Sequence, residues 1–441
     1  MPDTPRISPN THHRSLEAFH RFHSYCARFP SELVEAGIAQ YTRVGDSIFD
    51  PFCGSGTTVV ACLVHKRKVI GTEIDTLAGM LSELKCSPLP AEQYARWRAP
   101  FIKRIKNTFE EIRHSWRPGI RLEPGTTWTI SSGELRIPRF PELNYWFPPQ
   151  LTAALAGIAE TTHRCRCPHY ERLALISLSA SIISKWPNTL SYAKDIDHTR
   201  PHRRIQRFTL DRVLETYINR LDRTLKCLGD LREAYETAGV ANSLKDSAQV
   251  VYPHDARQPL PSIADESQAL VMTSPPYFDA VDYPRAHRMS VCWMNGYAPA
   301  QLASRSDYVG LRYASSFNPD EWLKSQPGVR RLIPYRILED APLNKRLCAF
   351  FADLQAVLLQ GWRVLRPGGH AVFVIANNVI KNERLESHRV LLRLANIIGF
   401  EQTEVRNREI AQPRRRFPTG PFGFDGPMMH EYVVVLRKGA P

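Results

Sequence analysis

Residues 45–75 read GDSIFDPFCGSGTTVVACLVHKRKVIGTEID, and this stretch decides the fold of the 441-residue chain. The segment SIFD predicts a strand, PFCGSG a glycine-rich turn, TTVVACLVHK a helix and KVIGTEID a second strand. A strand that passes through a glycine turn into a helix and then into another strand opens a doubly wound sheet. We therefore expect an α/β fold with a Rossmann-like sheet.

The α/β pattern stops after this unit and returns far downstream. Helical patterns dominate residues 81–245, and later strands are expected at AQVVYPHDA, QALVMTSPPY, HAVFVIANN, EQTEVRNREI and HEYVVVLRK. The organisation expected is a flexible N-terminal tail over 1–20, one α/β domain, and a large, mostly helical insertion over 81–245. The α/β domain would consist of residues 21–80 and 246–441, with the insertion between its second and third strands.

The charge balance favours a polyanionic partner. Lys and Arg number 58 against 44 for Asp and Glu, which gives a formal net charge of +14. Such an excess favours nucleic acid through counterion release. No apolar run is long enough to span a bilayer, and the N-terminal residues lack the apolar segment of a signal peptide. We expect a cytoplasmic, nucleoid-associated protein with no membrane partner.

The nine cysteines are scattered, as is typical of reduced thiols. One local group, HRCRCPH, places His163, Cys165, Cys167 and His169 at alternate positions. Neither the CxxC spacing of a zinc site nor a second ligand pair is present. No metal site is expected.

The glycine turn favours an anionic ligand without phosphates. Gly54 and Gly56 allow the backbone to approach a ligand closely, and the helix beginning near Thr57 directs free N–H groups at it. A phosphate loop would need a Lys after the glycines, and the third glycine of a dinucleotide fingerprint is replaced by Val59. Glu73, at the end of the second strand, could accept hydrogen bonds from ribose hydroxyls. Asp255 could accept from an exocyclic amine, so the ligand expected is S-adenosylmethionine.

The stretch MTSPPY, residues 272–277, ends an apolar strand in a rigid turn. Because ligands of this fold bind at the carboxyl ends of the strands, the turn should face the same crevice as the glycine turn. The Ser274 hydroxyl and the Pro275 carbonyl, held by the ring of Pro276, could accept hydrogen bonds from an amine. Tyr277 offers a flat face on which a base extruded from a duplex could stack.

DPFCGSGTT together with TSPPY resembles the DNA amino-methyltransferases, which methylate cytosine N4 or adenine N6. The resemblance implies a seven-stranded class I S-adenosylmethionine fold and extends to HSYCARFPSELVEAGI, GTEID and LRPGGHAVFVIANN. It implies that Ser274, Pro275, Pro276 and Tyr277 are catalytic. The cofactor-binding residues would be Tyr25, Phe29, Asp50, Phe52, Gly54, Gly56, Thr57, Thr58, Glu73 and Asp255.

Serine at the first position of SPPY is commoner among the cytosine-N4 members of that family, so transfer to the N4 of a flipped-out cytosine is expected. Adenine-N6 methylation is the alternative within the family. RNA guanine-N2 methylation is a second alternative, although those enzymes normally have aspartate before the prolines and an N-terminal RNA-binding domain. Cytosine-C5 chemistry requires a Pro-Cys pair, and the chain has none.

Two basic segments are candidates for contact with double-stranded DNA. The insertion contains Arg200, Arg203, Arg204 and Arg207 among His and Tyr residues, and a Pro- and Gly-rich loop contains Arg414, Arg415 and Arg416. A solvated helix face is the competing interpretation of the first segment. The insertion separates the second cofactor motif from the third, unlike the usual family layout, which weakens the assignment of Asp255. A cognate restriction endonuclease, the DNA site and the oligomeric state are left open.

Overall fold

The computed structural model of the chain describes residues 16–25, 28–184, 188–193, 207–278, 282–294, 307–310, 317–409 and 430–439. Within these residues the strands are β1 Ser47–Asp50, β2 Lys68–Thr72, β3 Thr127–Ile130, β4 Gly133–Arg136, β5 Ala248–Val251, β6 Gln268–Thr273, β7 Leu365–Ala376, β8 Asn378–Ile380, β9 Glu383–Leu385, β10 Glu401–Glu409 and β11 His430–Arg437.

The α-helices contain most of the described residues that lie outside the strands. They are α1 Ser31–Tyr41, α2 Thr57–Val64, α3 Thr76–Cys86, α4 Ala91–Ser115, α5 Leu143–Trp146, α6 Pro149–His163, α7 Pro168–Ile182, α8 Leu210–Thr237, α9 Leu244–Ser247, α10 Tyr283–Met294, α11 Pro319–Ser325, α12 Tyr335–Glu339, α13 Ala341–Val364 and α14 Ser387–Ile398. Two 3-10 helices add Leu16–His20 and Arg330–Leu332. No described helix is long and apolar enough to cross a membrane.

One seven-stranded sheet organises the fold, in the order β10-β11-β7-β6-β1-β2-β5. The five strands from β7 to β5 are parallel, and β11 is antiparallel to both β7 and β10. The chain moves outward from β1 to β2 and β5, and then returns to the other side of β1 to form β6. The crevice at the carboxyl ends of β1 and β6 is therefore a topological switch point, where ligands of open α/β sheets bind.

Both faces of the sheet are covered, as its continuous apolar strands require. Ile48 belongs to a core that includes Val34 of α1 and Val60 of α2, while the next residue, Phe49, belongs to the opposite core with residues of α13 and α14. All six residues of β6 are buried. The strand that carries the Ser-Pro-Pro-Tyr turn is therefore fixed from both sides.

The chain between β2 and β5 builds a third core from α3 to α8. It contains a hairpin, β3–β4, that the helical pattern did not predict. The helix α10, which follows the Ser-Pro-Pro-Tyr turn, also packs here, because Met289, Trp293 and Met294 are buried in this core. The core of the helical region thus includes a helix of the later α/β part of the sequence.

Three local features differ from the sequence analysis. Residues 16–20, assigned to a flexible tail, form a 3-10 helix because Leu16 and Phe19 are buried in the core beside α2 and α8. The residues RPGG, which precede the expected strand HAVFVIANN, lie inside β7, because that strand begins at Leu365 and accommodates the two glycines at an irregularity in its pairing with β6. The short hairpin β8–β9 was not predicted.

Candidate active site

A pocket of about 770 Å³, counting its open mouth, lies at the carboxyl ends of β1, β2 and β6. Most of the residues that the sequence analysis assigned to the cofactor line it, together with part of the Ser-Pro-Pro-Tyr turn. The predicted residues in its wall are Tyr25, Phe29, Asp50, Phe52, Gly54, Thr57, Glu73, Asp255, Ser274 and Pro276.

The glycine turn between β1 and α2 is tightly held. Gly54 has a φ of +51° and Gly56 a φ of +87°, in the left-handed region that favours glycine. The Ser82 hydroxyl of α3 donates a 2.6 Å hydrogen bond to the Gly54 carbonyl. A Cβ at Gly56 would lie 2.8 Å from Ser82 Oγ and 3.1 Å from its Cα. Gly56 is therefore required both by its dihedral angles and by the approach of α3.

The Glu73 carboxylate lies beside the glycine turn and accepts hydrogen bonds from three backbone N–H groups. Its Oε2 accepts from the Gly54 N–H at 2.8 Å, and its Oε1 accepts from the N–H groups of Ile74 and Asp75 at 2.9 Å each. Burial, followed by the neighbouring charge of Asp75, raises the pKa of Glu73 to about 7. The carboxyl group therefore titrates near neutral pH while it lines the pocket.

Lys85, which was not predicted from the sequence, forms a hydrogen bond with the glycine turn. Its ammonium group donates to the Ser55 carbonyl and contacts Nδ1 of His20 at 2.8 Å. The side chain is buried, and burial, aided by the charge of Arg28, lowers its pKa to about 7. No sequence signal identifies it, because a Lys in a helix is ordinarily a surface residue.

A hydrogen bond between described residues joins the two motifs. Thr273, the last residue of β6, donates from Oγ1 to Oδ1 of Asp50 at 2.6 Å. The same carboxylate oxygen accepts from the Phe52 N–H at 3.0 Å. Burial raises the pKa of Asp50 to about 6, and the hydrogen bond from Thr273 opposes that shift. The buried carboxylate thus fastens the glycine turn to the start of the Ser-Pro-Pro-Tyr turn.

In the Ser-Pro-Pro-Tyr turn itself, Ser274 donates to the Val374 carbonyl of β7 at 3.3 Å. The Pro275 side chain is buried, whereas Pro276 borders the pocket. Among the described residues no donor binds the Pro275 carbonyl. Tyr277 is half-buried outside the pocket wall, and its hydroxyl donates to Glu431 at 2.9 Å.

Asp255 lies in the pocket wall but is already engaged by an arginine. The guanidinium of Arg257 binds both of its carboxylate oxygens at 2.8–3.0 Å. The same guanidinium binds Asp353 of α13 at 2.9 Å and the Asp307 carbonyl at 3.0 Å. Arg257 therefore orients Asp255 and attaches the short described segment 307–310 to the pocket.

Aromatic side chains close the remaining wall. Tyr25 stacks on Tyr283 of α10 with ring centroids 6.1 Å apart. Tyr308 donates to Oδ2 of Asp75 at 3.1 Å, and His287 contacts the same oxygen at 3.0 Å. Burial alone would raise the pKa of Asp75, yet the interactions with His287 hold it below its usual value. Tyr308 was missed because it lies far from every motif in sequence, whereas Tyr283 and His287 follow the Ser-Pro-Pro-Tyr turn closely in the chain.

The predicted DNA-contacting residues are mostly not described. Arg207 is exposed just before α8. Arg200, Arg203, Arg204, Arg414, Arg415 and Arg416 lie outside the described residues. Asp279 and Asp282 follow the Ser-Pro-Pro-Tyr turn and could accept a proton from the target amine. Asp279 also lies outside the described residues, and Asp282 accepts from the Arg285 N–H at 3.2 Å at the start of α10.

The His and Cys residues near 163–169 do not form a metal centre in the described part of the chain. His163 Nδ1 lies 2.7 Å from Glu171 Oε1, and His169 Nε2 lies 3.1 Å from the Tyr94 hydroxyl. No three His, Cys, Asp or Glu side chains converge as metal ligands among the residues described.

Comparison with known proteins identifies DNA methyltransferases among the proteins that this chain resembles. The N6/N4 methyltransferase model, described as DNA methylase, matches residues 3–78. The chain is 22% identical to the Type II methyltransferase M.MvaI of Kocuria varians, over 96% of this chain and 91% of that protein. It is also 22% identical to the Type II methyltransferase M.BsoBI of Geobacillus stearothermophilus, over 88% and 80% respectively.

Among solved structures, an S-adenosylmethionine-dependent methyltransferase of Methanosarcina mazei is 10% identical, with a TM-score of 0.30. That match covers 92% of this chain and 97% of the other. The similarity is too low to add to the fold described above. Residues 3–78, which contain the glycine turn and Glu73, are thus similar to DNA methylases, and the similarity to proteins named Type II methyltransferases extends over most of the chain.

Proposed function

We propose that the protein is a site-specific DNA methyltransferase that transfers a methyl group from S-adenosylmethionine to the exocyclic N4 of a flipped-out cytosine. The observation that carries the proposal is the shared pocket. Gly54 and Ser274 line the same cavity, and the hydrogen bond from Thr273 to Asp50 ties their turns together. A cofactor site and an acceptor for an amine are thereby adjacent.

The cofactor half of the pocket suits a nucleoside that carries an amino acid. The first N–H groups of α2 and the glycine turn would bind its carboxylate, with Thr57 and Thr58 at the start of the helix. Glu73 would accept from the ribose hydroxyls, and Asp255 from the adenine amine. Phe52, with Tyr25 and Phe29 of the N-terminal motif, would cover the ligand. When bound, S-adenosylmethionine supplies a methyl group on a sulfonium centre.

The Ser-Pro-Pro-Tyr half would orient and activate the base. Ser274 Oγ, which already donates to Val374, can accept a hydrogen bond from the target amine with its lone pairs. The Pro275 carbonyl would accept the second amine hydrogen, and the ring of Pro276 keeps the turn rigid. Accepting both hydrogens draws the nitrogen lone pair out of conjugation with the base. Fixed geometry then supplies much of the acceleration.

The choice of cytosine N4 rests on Ser274, since serine at this position is commoner in the cytosine-N4 members of the family. Adenine N6 is the alternative, because the same acceptors can bind either exocyclic amine. RNA guanine-N2 methylation receives less support, since the family model that matches the chain is that of a DNA methylase.

The substrate we propose is double-stranded DNA. Its phosphates would be bound by two groups of arginines, Arg200, Arg203, Arg204 and Arg207 in one and Arg414, Arg415 and Arg416 in the other. The mostly helical region 81–245 would contribute target recognition. The relatives named Type II methyltransferases suggest a restriction–modification setting, with a cognate endonuclease as partner.

Incubation of genomic DNA with the protein and labelled S-adenosylmethionine tests this function. We expect N4-methylcytosine in a fixed short sequence context, identified by mass spectrometry and sequencing. Ser274→Ala and Tyr277→Ala should abolish methylation, because each removes a contact to the base.

Both variants should keep the cofactor affinity of the wild type, since Glu73, Gly54 and Asp255 are unchanged in them. Label found only on adenine N6 would overturn the choice of base. Label found on RNA and absent from DNA would overturn the substrate class.

A further inference from the structure

The ring of Tyr277 is held by a residue from a distant strand. Its hydroxyl donates a 2.9 Å hydrogen bond to Oε1 of Glu431, which is 154 positions away in sequence. Because β11 is antiparallel to β7, its first residues lie beside the end of β7, and Glu431 pairs with Ala376. The closing hairpin, formed by β10 and β11, thus places the carboxylate of Glu431 at the edge of the sheet where the Ser-Pro-Pro-Tyr turn lies.

Glu431 is itself fixed from the other side. Its Oε2 accepts a 3.1 Å hydrogen bond from Arg408, the residue opposite it on β10. The Glu431 side chain is only 15% exposed, so this ion pair is partly shielded from solvent. One oxygen of the carboxylate is therefore occupied by the hairpin, and the other is directed at Tyr277.

The direction of the hydrogen bond is also determined. Burial, and then the charge of Glu431, raise the pKa of Tyr277 well above its ordinary value. The phenol therefore stays protonated at neutral pH and donates to the carboxylate. Ser274 Oγ lies 3.5 Å from the same hydroxyl. The hydroxyl end of the ring is thus anchored beside the serine that would contact the target amine.

We propose that Glu431 is a positioning residue that fixes the ring of Tyr277 as the platform on which the extruded base stacks. The inference rests on the proposed function, in which Tyr277 contacts that base. A ring anchored at its hydroxyl keeps one orientation before DNA arrives, so the entropy of ordering it is not lost during base capture. Removing the anchor should slow methylation without weakening cofactor binding.

The test compares Glu431→Ala, Glu431→Gln and Tyr277→Phe in single-turnover methylation at saturating DNA. The substrate is a duplex that carries the site found by genomic sequencing. We expect about a ten-fold slower rate for Glu431→Ala and for Tyr277→Phe, since each removes a hydrogen bond to a charged group. The double variant should be no slower than either, because both changes remove the same bond. Affinity for S-adenosylmethionine should stay within about two-fold.

Glu431→Gln tests whether Glu431 acts as the hydrogen-bond acceptor for Tyr277 or only as the ion-pair partner of Arg408. Its amide oxygen can still accept from Tyr277, so Glu431→Gln should retain most of the rate even though it loses the charge beside Arg408. A merely structural ion pair would instead make Glu431→Gln and Arg408→Gln as slow as Glu431→Ala, and that result would overturn the proposal. Strictly additive effects in the double variant would also overturn it.

Glu404→Gln is the matched control. Glu404 lies on the same hairpin and pairs with Arg406, but it does not contact the Ser-Pro-Pro-Tyr turn. Its rate should equal that of the wild type, and an equal loss there would contradict the assignment to Glu431. A wild-type protein that methylates no DNA would overturn the proposed function and with it the role of Glu431 toward a base. The hydrogen bond would still appear as non-additive shifts in the midpoint of unfolding by denaturant.

Discussion

The glycine turn and the Ser-Pro-Pro-Tyr turn border one pocket but are supported in opposite ways. The glycine turn is held by residues close in sequence, because Glu73 and Ser82 contact Gly54 from 19 and 28 positions away. The Ser-Pro-Pro-Tyr turn is held by Asp50, Val374 and Glu431, which are 100 to 223 positions away from the residues that they contact.

The difference shows how the two halves depend on the rest of the fold. The glycine turn is complete once β1, α2, β2 and α3 have assembled. The half that contacts the base needs the central sheet and its closing hairpin as well. Substitutions that remove local contacts should therefore weaken cofactor binding. Substitutions that remove long-range contacts should slow methylation, either alone or together with a loss of cofactor affinity.

The largest effect is expected for Gly56→Ala. The left-handed φ of +87° costs an alanine about 1–2 kcal/mol, and its Cβ would collide with Ser82. Displacement of Ser82 would also release the Gly54 carbonyl. We expect affinity for S-adenosylmethionine, measured by calorimetry, to fall about 100-fold.

Gly45→Ala is the control for Gly56→Ala. Gly45 has nearly the same φ, +86°, but nothing lies within 4 Å of the added Cβ. This variant should lose about 1 kcal/mol of stability and none of its cofactor affinity. Equal losses of affinity in the two variants would show that strain in the chain, and not the shape of the turn, controls binding.

An intermediate effect is expected for Thr273→Val, which keeps the shape of the side chain and removes its hydrogen bond to Asp50. The loss of a bond to a buried carboxylate should reduce the free energy of unfolding by about 1–3 kcal/mol. Because this bond joins the two turns, cofactor affinity and methylation rate should both decrease.

Thr72→Val is the local counterpart of that change, since Thr72 donates to the Pro51 carbonyl at 2.9 Å, 21 positions away. It should weaken cofactor binding and leave the rate at saturating cofactor unchanged. If Thr72→Val and Thr273→Val gave the same pattern, the distinction between local and long-range support would be wrong.

The smallest effect is a pH dependence of cofactor binding that arises from Glu73. Its pKa in the free protein is raised to about 7, so it is partly protonated at neutral pH. Ribose hydroxyls donate best to the ionised carboxylate, so binding should lower the pKa and release a proton. Affinity should therefore increase by up to about ten-fold between pH 6 and pH 8, and Glu73→Gln should remove the dependence.

Calorimetry in two buffers of different ionisation enthalpy would measure the proton release directly. Proton uptake on binding, or an unchanged pH dependence in Glu73→Gln, would mean that Glu73 does not bind the ligand as an acceptor.

The contrast between the two turns also explains what the sequence could predict. The strand, turn and helix of residues 45–75 follow from local composition, and Gly54, Gly56 and Glu73 are identified by their spacing. The motif TSPPY is equally visible, and its place at the end of a central strand follows from the rule for carboxyl ends of parallel strands.

The supports of these motifs could not be predicted in the same way. Lys85 and Arg257 read as ordinary surface charges, although the fold buries the first and pairs the second with two carboxylates. Glu431 reads as one residue of a strand, and only its antiparallel register brings it to Tyr277. Each depends on contacts between segments far apart in sequence, for which a single sequence contains no local signal.

The most direct test of the account is a crystal structure of the protein with S-adenosylhomocysteine. We predict that the sulfur lies between the Gly54 turn and Ser274, with the ribose at Glu73. A ligand bound in another cavity, or one whose sulfur faces away from Ser274, would contradict the central claim that the two turns form one active site.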